Sequence, residues 1–507
     1  MRAALRAVLL AGTSTGLDLN FAGGAFSLNN TRSASPADIP GWSFSRTDTN
    51  GTATALDLAG NVIQFPSRTN LLTYSQQFDD AAWSKARASV TADTTVAPDG
   101  TTTADSLVED TTNNSHPVYR TVASLANATA YTWSIFVAPL GRTSCNLAAS
   151  NTAFGTPGNA TFSLTGAGSV TASSGCTAAI QAVAGGFYRC SITLTTVASG
   201  NGDIYIQPFN AATSYLGNGL PALAIWGAQL ETGSTATAYI PTTTAAVTVV
   251  LPRITNRGIL VEEARTNLLL NSATLSTQTV TTTAVAHTLS FYGTGTVTLS
   301  GASTAGPLVG TGTSNRVTLT FTPLAAPLVL TVTGSVTTAQ CEAGAFATSP
   351  IITTGAAGTR GADLPSQSFV LPAAYTWVAE GYAPPIQPGR FPTMMSSTGS
   401  NVGVYVNGSN TPGANMGNVT FAASYGSIVA AGSSIKQGFR AETNNAMGAS
   451  NGTLSTVDTS FTPVVGSQTI NIGTNNLATS PWNGYIRRVQ VLPYAVTDAQ
   501  LQALTAP

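Results

Sequence analysis

Charge is what this chain has least of. Only 8% of its 507 residues are Asp, Glu, Lys or Arg, against roughly 25% in ordinary soluble proteins. Twenty basic residues, thinly spread, make no stripe that could follow a phosphate backbone, and this excludes nucleic acid as a partner. A net charge of −1 gives little solubility by repulsion and suits a protein built into a larger assembly. Histidine is nearly missing: His116 and His287 stand far apart, and nothing suggests a Ser-His-acid arrangement. Glycoside cleavage needs two carboxylates converging on one site. The acid pairs Asp79-Asp80, Glu109-Asp110 and Glu262-Glu263 are sequence neighbours, which on a strand face opposite ways. No enzyme activity and no cofactor is expected.

Other scarcities narrow the field further. Calcium takes about six to eight oxygens, several from carboxylates. The acids of the last third, Asp363, Glu380, Glu442, Asp458 and Asp498, are scattered, so no metal is expected. The four cysteines, Cys145, Cys176, Cys190 and Cys341, fit no zinc spacing. Cys190 alternates with Tyr188, Ile192 and Leu194; buried free thiols are the preferred reading, and a Cys176–Cys190 bridge stays open. No run approaches the ~20 apolar residues that span a bilayer. Met1 to Gly12 is only faintly like a signal peptide, because its apolar run is short and broken by Arg6. It reads instead as an arm that docks on a partner.

What is present is a repeat. Arg68-Thr69-Asn70-Leu71-Leu72 recurs as Arg265-Thr266-Asn267-Leu268-Leu269. The first copy closes with Ala228-Gln229-Leu230-Glu231, Gly233, Ala236-Thr237 and Ile240. The second closes with Ala339-Gln340-Cys341-Glu342, Gly344, Ala347-Thr348 and Ile351. A shared opener and closer indicate one structural unit built twice. The second copy is less than half as long and should carry less core. Leu71 and Leu268 are expected in one core position, and Glu231 and Glu342 as structural hydrogen-bond acceptors.

The length implies about three or four domains. At 43% hydrophobic, with Thr, Ser, Ala, Gly and Asn replacing charge, the chain can bury cores of β-structure. Residues 1–67 read as an arm and an irregular β segment. In 68–245, Tyr131, Trp133, Ile135 and Val137 alternate with Thr132 and Ser134, the pattern of a half-buried strand. A hairpin is predicted over 180–194, turning at Ala184-Gly185-Gly186. Residues 246–362 alternate more cleanly, as in Val317, Leu319 and Phe321. Residues 363–507 hold further strands and one helix, with Thr497 as N-cap and Gln500 completing a capping box. The fold class is all-β: tandem β-sandwiches with a short N-terminal arm.

Several phrases resemble known families. Arg68 to Leu72 with Tyr74-Ser75, Phe78 and Trp83, then Ala97 to Asp105, Gly186-Phe187-Tyr188-Arg189-Cys190 and Trp226 to Glu231, resemble a domain common in bacteriophage fibre and tail proteins. That family has a carbohydrate-binding-module-like jelly roll; Phe187 stands where it often has Trp. Arg257 to Leu268 is similar to another phrase frequent in phage structural proteins. Trp482-Asn483-Gly484-Tyr485-Ile486-Arg487-Arg488-Val489, Leu492-Pro493-Tyr494 and the terminal helix are similar to concanavalin-like or laminin-G-like sandwiches. The resemblance implies a virion fibre on a tail or head, often trimeric. It would attach to other virion proteins through residues 1–67 and bind host-surface polysaccharide with its distal domains.

Sugar binding needs exposed aromatic faces beside polar groups. Trp482, Tyr485, Tyr405 and Tyr425 are the candidates, whereas Trp83, Trp133 and Trp226 sit in apolar strand context and are expected in cores. The competing expectation is a purely structural head-fibre, collar or decoration protein, because such folds host many functions.

Overall fold

The computed structural model describes residues 17–28, 31–33, 42–49, 51–65, 67–387, 390–397, 402–407, 409–416, 419–422, 427–475 and 480–507. It is all-β, built from antiparallel sheets. The single helix among the described residues, Asp498–Thr505, begins at the predicted Thr497 with its capping box formed. The chain divides into two compact units: residues 67–249, and residues 1–66 together with 250–507. Tyr425 and the apolar arm of residues 1–12 lie outside the described residues.

Residues 67–249 form a sandwich of two six-stranded sheets. One runs, in spatial order, Ala88–Thr95, Ala104–Glu109, Pro221–Thr232, Ala130–Pro139, Tyr188–Thr195, Thr177–Ala182. The other runs Ser169–Ser174, Gly158–Ser163, Ser144–Ser150, Gly200–Pro208, Val118–Leu125, Ser84–Lys85. Leu72, Phe78, Trp83, Trp133, Leu147, Phe162, Ile192 and Ile206 fill the space between them. The hairpin at 184–186 is as predicted. The 131–137 strand departs from the expected half-burial, because Phe136, with Trp226, Phe187 and Ala224, forms a second small core on the sheet's other face. That is why Phe136 interrupts the polar alternation.

The other unit joins segments that sequence order keeps far apart. A small sandwich occupies 265–343, with sheets of Gly312–Phe321, His287–Gly293, Val336–Ala343 and of Gln278–Thr281, Pro327–Thr333, Thr296–Gly301, Leu308–Val309. A larger sandwich has a core of Trp377, Phe439, Ile470, Trp482, Ile486 and Val491. Its long strand Gly484–Leu492 pairs on one side with Tyr375–Tyr382. On its other side it pairs with Leu17–Asn20 and then Gly258–Val261. Leu17, Leu19, Phe21, Ile259 and Val261 are all buried in that core.

Two expected boundaries are therefore corrected. The described strands between residues 17 and 56 do not form a separate segment. Leu17–Asn20 and Trp42–Ser45 complete sheets of the C-terminal sandwich, while Asp48–Thr49 and Gly51–Leu56 pair with Gly358–Arg360 and Ile351–Thr353. Gly258–Val261 likewise belongs to the C-terminal sandwich and not to the second repeat. Leu17–Asn20 and Gly258–Val261 carry apolar side chains that neither short strand can shield alone, and both lie along Gly484–Leu492 with those side chains in its core.

These segments meet at a buried ionic cluster. Arg253 is fully buried; its guanidinium donates to Glu262 Oε2 at 2.8 Å, Thr54 O at 2.8 Å, Ser349 Oγ at 2.5 Å and Asp363. Arg46 bonds Asp48 Oδ1 at 2.9 Å and Asp363 Oδ1 at 3.2 Å. Arg360 lies 3.0 Å from Glu262 Oε2. Burial alone would raise the Glu262 carboxyl, but Arg360 and Arg253 outweigh it and hold it down to about 2. In a chain so poor in charge, three cations and three anions are spent here. A buried group of this kind holds only while every partner is present.

Candidate functional site

The repeated phrases are structural. Asn70 Nδ2 donates to Ala228 O and Ile240 O, both at 2.9 Å, and its Oδ1 accepts from the N–H groups of Leu72 and Leu230. Asn267 Nδ2 donates to Ala339 O and Ile351 O, again at 2.9 Å, and its Oδ1 accepts from Leu269 and Cys341. Gln229 and Gln340 each donate to the Glu two residues on. Glu231 then accepts from Thr237, and Glu342 from Thr348, through both backbone and hydroxyl. Gly233 and Gly344 turn the chain at positive φ, 124° and 144°, which any other residue would strain to adopt. Both acids are thus acceptors with every partner in place. The common core leucine is the second of each pair, Leu72 and Leu269, both fully buried; Leu71 and Leu268 are half-buried at the core's margin.

The aromatic candidates of the last domain turn inward, which corrects the expectation of exposed faces. Trp482 is fully buried, its Nε1 donating to Tyr382 O at 3.0 Å. Asn483, at φ 54°, makes the turn that tucks the indole into the core. Tyr485 is buried; its hydroxyl donates to Leu56 O at 2.9 Å, and Arg257 covers its ring at 5.0 Å. Tyr405 is buried with Phe391 edge-on at 5.6 Å, against Gly413, whose missing side chain makes room for the ring. His287 is buried with Nδ1 at 2.9 Å from Val285 O. The four cysteines are free thiols.

An aromatic face of the required kind occurs elsewhere, on the outer side of the second sheet in 67–249. Alternation decides it. Ile204 and Ile206 point into the core, so Asp203, Tyr205 and Gln207 point out. Leu147 and Ala149 point in, so Asn146, Ala148 and Ser150 point out. Across the strands Tyr119 pairs with Tyr205, Tyr205 with Ala148, and Ala148 with Asn159. The two tyrosine rings stack at 5.2 Å and 20°. Beside them the row drops to the methyl of Ala148. The result is a shallow trough walled by Tyr205 and floored by a small residue.

Polar groups flank this trough on both sides. On one, Gln207 Nε2 donates to Asn146 Oδ1 at 3.2 Å, and Asn146 Nδ2 to Thr161 Oγ1 at 3.1 Å. On the other, Asp203 accepts from Thr121 Oγ1 at 2.6 Å, Asn151 Nδ2 at 3.1 Å and the Tyr205 hydroxyl at 3.3 Å. Partial burial and the Asp203 carboxylate push the Tyr205 hydroxyl above its ordinary value, so it remains a donor. Asn146 and Thr161 are buried and orient Gln207 from behind; the half-buried ring face with the Gln207 amide, the Ser150 hydroxyl and the Asp203 carboxylate beside it suits a ligand that alternates C–H faces with hydroxyls. Sequence reasoning missed Tyr119 and Tyr205, although the alternation of Ile204 and Ile206 with Tyr205 carried the signal. Compared with known proteins, the sequence matches no family model and no curated relative.

Proposed function

We propose that this chain is a bacteriophage virion fibre protein whose 67–249 sandwich binds saccharides of the host surface in the Tyr119–Tyr205 trough. The observation that carries the reading is that trough: a stacked tyrosine pair, a small floor and a polar rim on an outward sheet face. The phrase resemblances and the near-neutral composition support the virion setting. In this reading the protein is a homo-oligomer, a trimer, exposed on a tail or head fibre and joined to other virion proteins through its N-terminus. Recognition moves to 67–249 from residues 363–507, where Trp482, Tyr405 and Tyr485 are internal.

A single shallow site binds weakly, and linked copies raise avidity by about 10²–10⁴ where geometry permits. The burial of the C-terminal aromatics favours one rival, a purely structural fibre or decoration protein. Adsorption of particles carrying Tyr205→Ala separates the two. Reduced adsorption with intact particles supports the saccharide site; unchanged adsorption supports the structural rival.

A further inference from the structure

The trough belongs to a row that crosses the whole sheet. In register it runs Ser84, Tyr119, Tyr205, Ala148, Asn159, Ser174. Six strands at their usual spacing make a track about 24 Å long, the length of an oligosaccharide and not of one sugar. Both ends are low and open, since Ser84, Asn159 and Ser174 are exposed. Nothing along the row forms an end wall that would select a chain terminus.

Charge on this face is one-sided. Among the described residues Asp203 is its single charged side chain. The six basic groups of 67–249 are all engaged elsewhere. Arg68 donates to Thr232 O, Lys85 to Asp79 O and Asp80 O, and Arg87 to Ser115 O. Arg120 donates to Thr73 O, Arg142 to Glu109, and Arg189 to Ser134 Oγ. The same segment holds nine acids, so its field is negative. An anionic sugar on the track would meet a carboxylate and no cation. Desolvating that like-charge pair is unfavourable.

We infer that the track takes an internal stretch of a neutral polysaccharide laid across the strands, and rejects uronate-, sialate- or phosphate-bearing chains. This rests on the saccharide-binding reading above. The half-buried amide of Gln207 and hydroxyl of Ser150 supply neutral hydrogen bonds on either side, the buried Asn146 and Thr161 hold Gln207 in place from behind, and Asp203 accepts from sugar hydroxyls.

The test uses the full chain in isothermal titration. The probes are cellohexaose, maltohexaose and mannohexaose with their monosaccharides, against oligogalacturonate, hyaluronan hexasaccharide and oligosialate. The expected result is binding of a neutral hexasaccharide, at least about tenfold tighter than its monosaccharide. Tyr205→Ala should weaken it about tenfold or more, and Ala148→Leu, which fills the trough, should do the same with the fold intact. Asp203→Asn should admit acidic chains that the natural protein refuses. Acidic chains binding the natural protein as tightly as neutral ones would overturn the inference while leaving saccharide binding standing. So would a monosaccharide that matched its hexasaccharide. Binding that survived both Tyr205→Ala and Ala148→Leu would remove the site. No binding by any probe would overturn the inference together with the reading beneath it.

Discussion

Asn70 and Asn267 make the same four hydrogen bonds to equivalent partners. Their surroundings differ. In the first copy Arg68 reaches only a carbonyl, Thr232 O, at 3.3 Å. In the second, Arg265 bonds Glu263, which also binds Arg390 at 2.8 Å, and the neighbouring strand Gly358–Arg360 leads into the buried cluster of Arg253, Glu262 and Asp363. The first copy also encloses a large core of its own, whereas the second has a smaller one. A hydrogen-bonded frame thus specifies how a module closes, and separate contacts decide what the module leans on. Small domains bury a smaller share of their surface and need such outside support.

The largest effect should come from breaking that support. Asp363→Asn leaves Arg253 and Arg46 buried with too little negative charge. A loss of about 3–5 kcal/mol is expected, confined to the unit containing residues 250–507. Calorimetry should show one transition falling and the 67–249 transition unmoved. If both fell together, the two copies would share a stability that their separate contacts deny.

Next come the frame asparagines. Asn70→Ala and Asn267→Ala each strand buried carbonyl and N–H groups, costing about 3 kcal/mol apiece. Each should lower only its own unit's unfolding transition, by similar amounts in denaturant titrations. Unequal costs would mean that identical hydrogen bonds are worth different amounts in large and small modules.

Acidity should separate the units by sign. Asp105, buried in 67–249, has its carboxyl raised to about 6, chiefly by burial and against the Asp93 and Phe78 N–H groups that bond it. Unfolded, it titrates near ~3.9. Its folded form favours the proton, so this contribution is full below the unfolded value and lost as pH rises through about 6. Residues 67–249 should therefore melt higher at pH 5 than at pH 7, and Asp105→Asn should flatten that slope. Glu262 is the reverse. Held near 2 by Arg360 and Arg253, it contributes above its unfolded value of ~4.3 and loses the contribution as pH falls toward 2. Melting curves that shift in parallel across pH 7 to 5 would contradict this division.

The frame and the terminal helix were legible because their signals are local. A five-residue phrase written twice with its closer implies one geometry, and Thr497 with Gln500 caps within a single turn. Strand destinations were not legible in the same way. Leu17–Asn20 alternates as any half-buried strand would, and nothing in those four residues says that their partner is Arg488 to Val491. Trp482 beside Pro481, Asn483 and Gly484 looked like an exposed turn; positive φ at Asn483 and an acceptor at Tyr382 O reverse that. Tyr205 is the opposite case, legible by period, because its alternation with Ile204 and Ile206 puts it on the outer face.

The smallest effect tests how finely the two frames correspond. Thr69 and Thr248 share a hydroxyl pair at 2.8 Å, and so do Thr266 and Thr359. The first pair is exposed and the second half-buried. Water competes for exposed hydroxyls, so Thr69→Val should change stability by less than about 0.5 kcal/mol. The half-buried pair loses a bond that water replaces poorly, and Thr266→Val should cost about 1 kcal/mol. β-branching is kept in both, so strand preference is unaltered. Equal costs would show that solvent access does not distinguish the pairs. A larger cost at Thr69 would mean that the opening strand of 67–249 is held more tightly than its exposure implies.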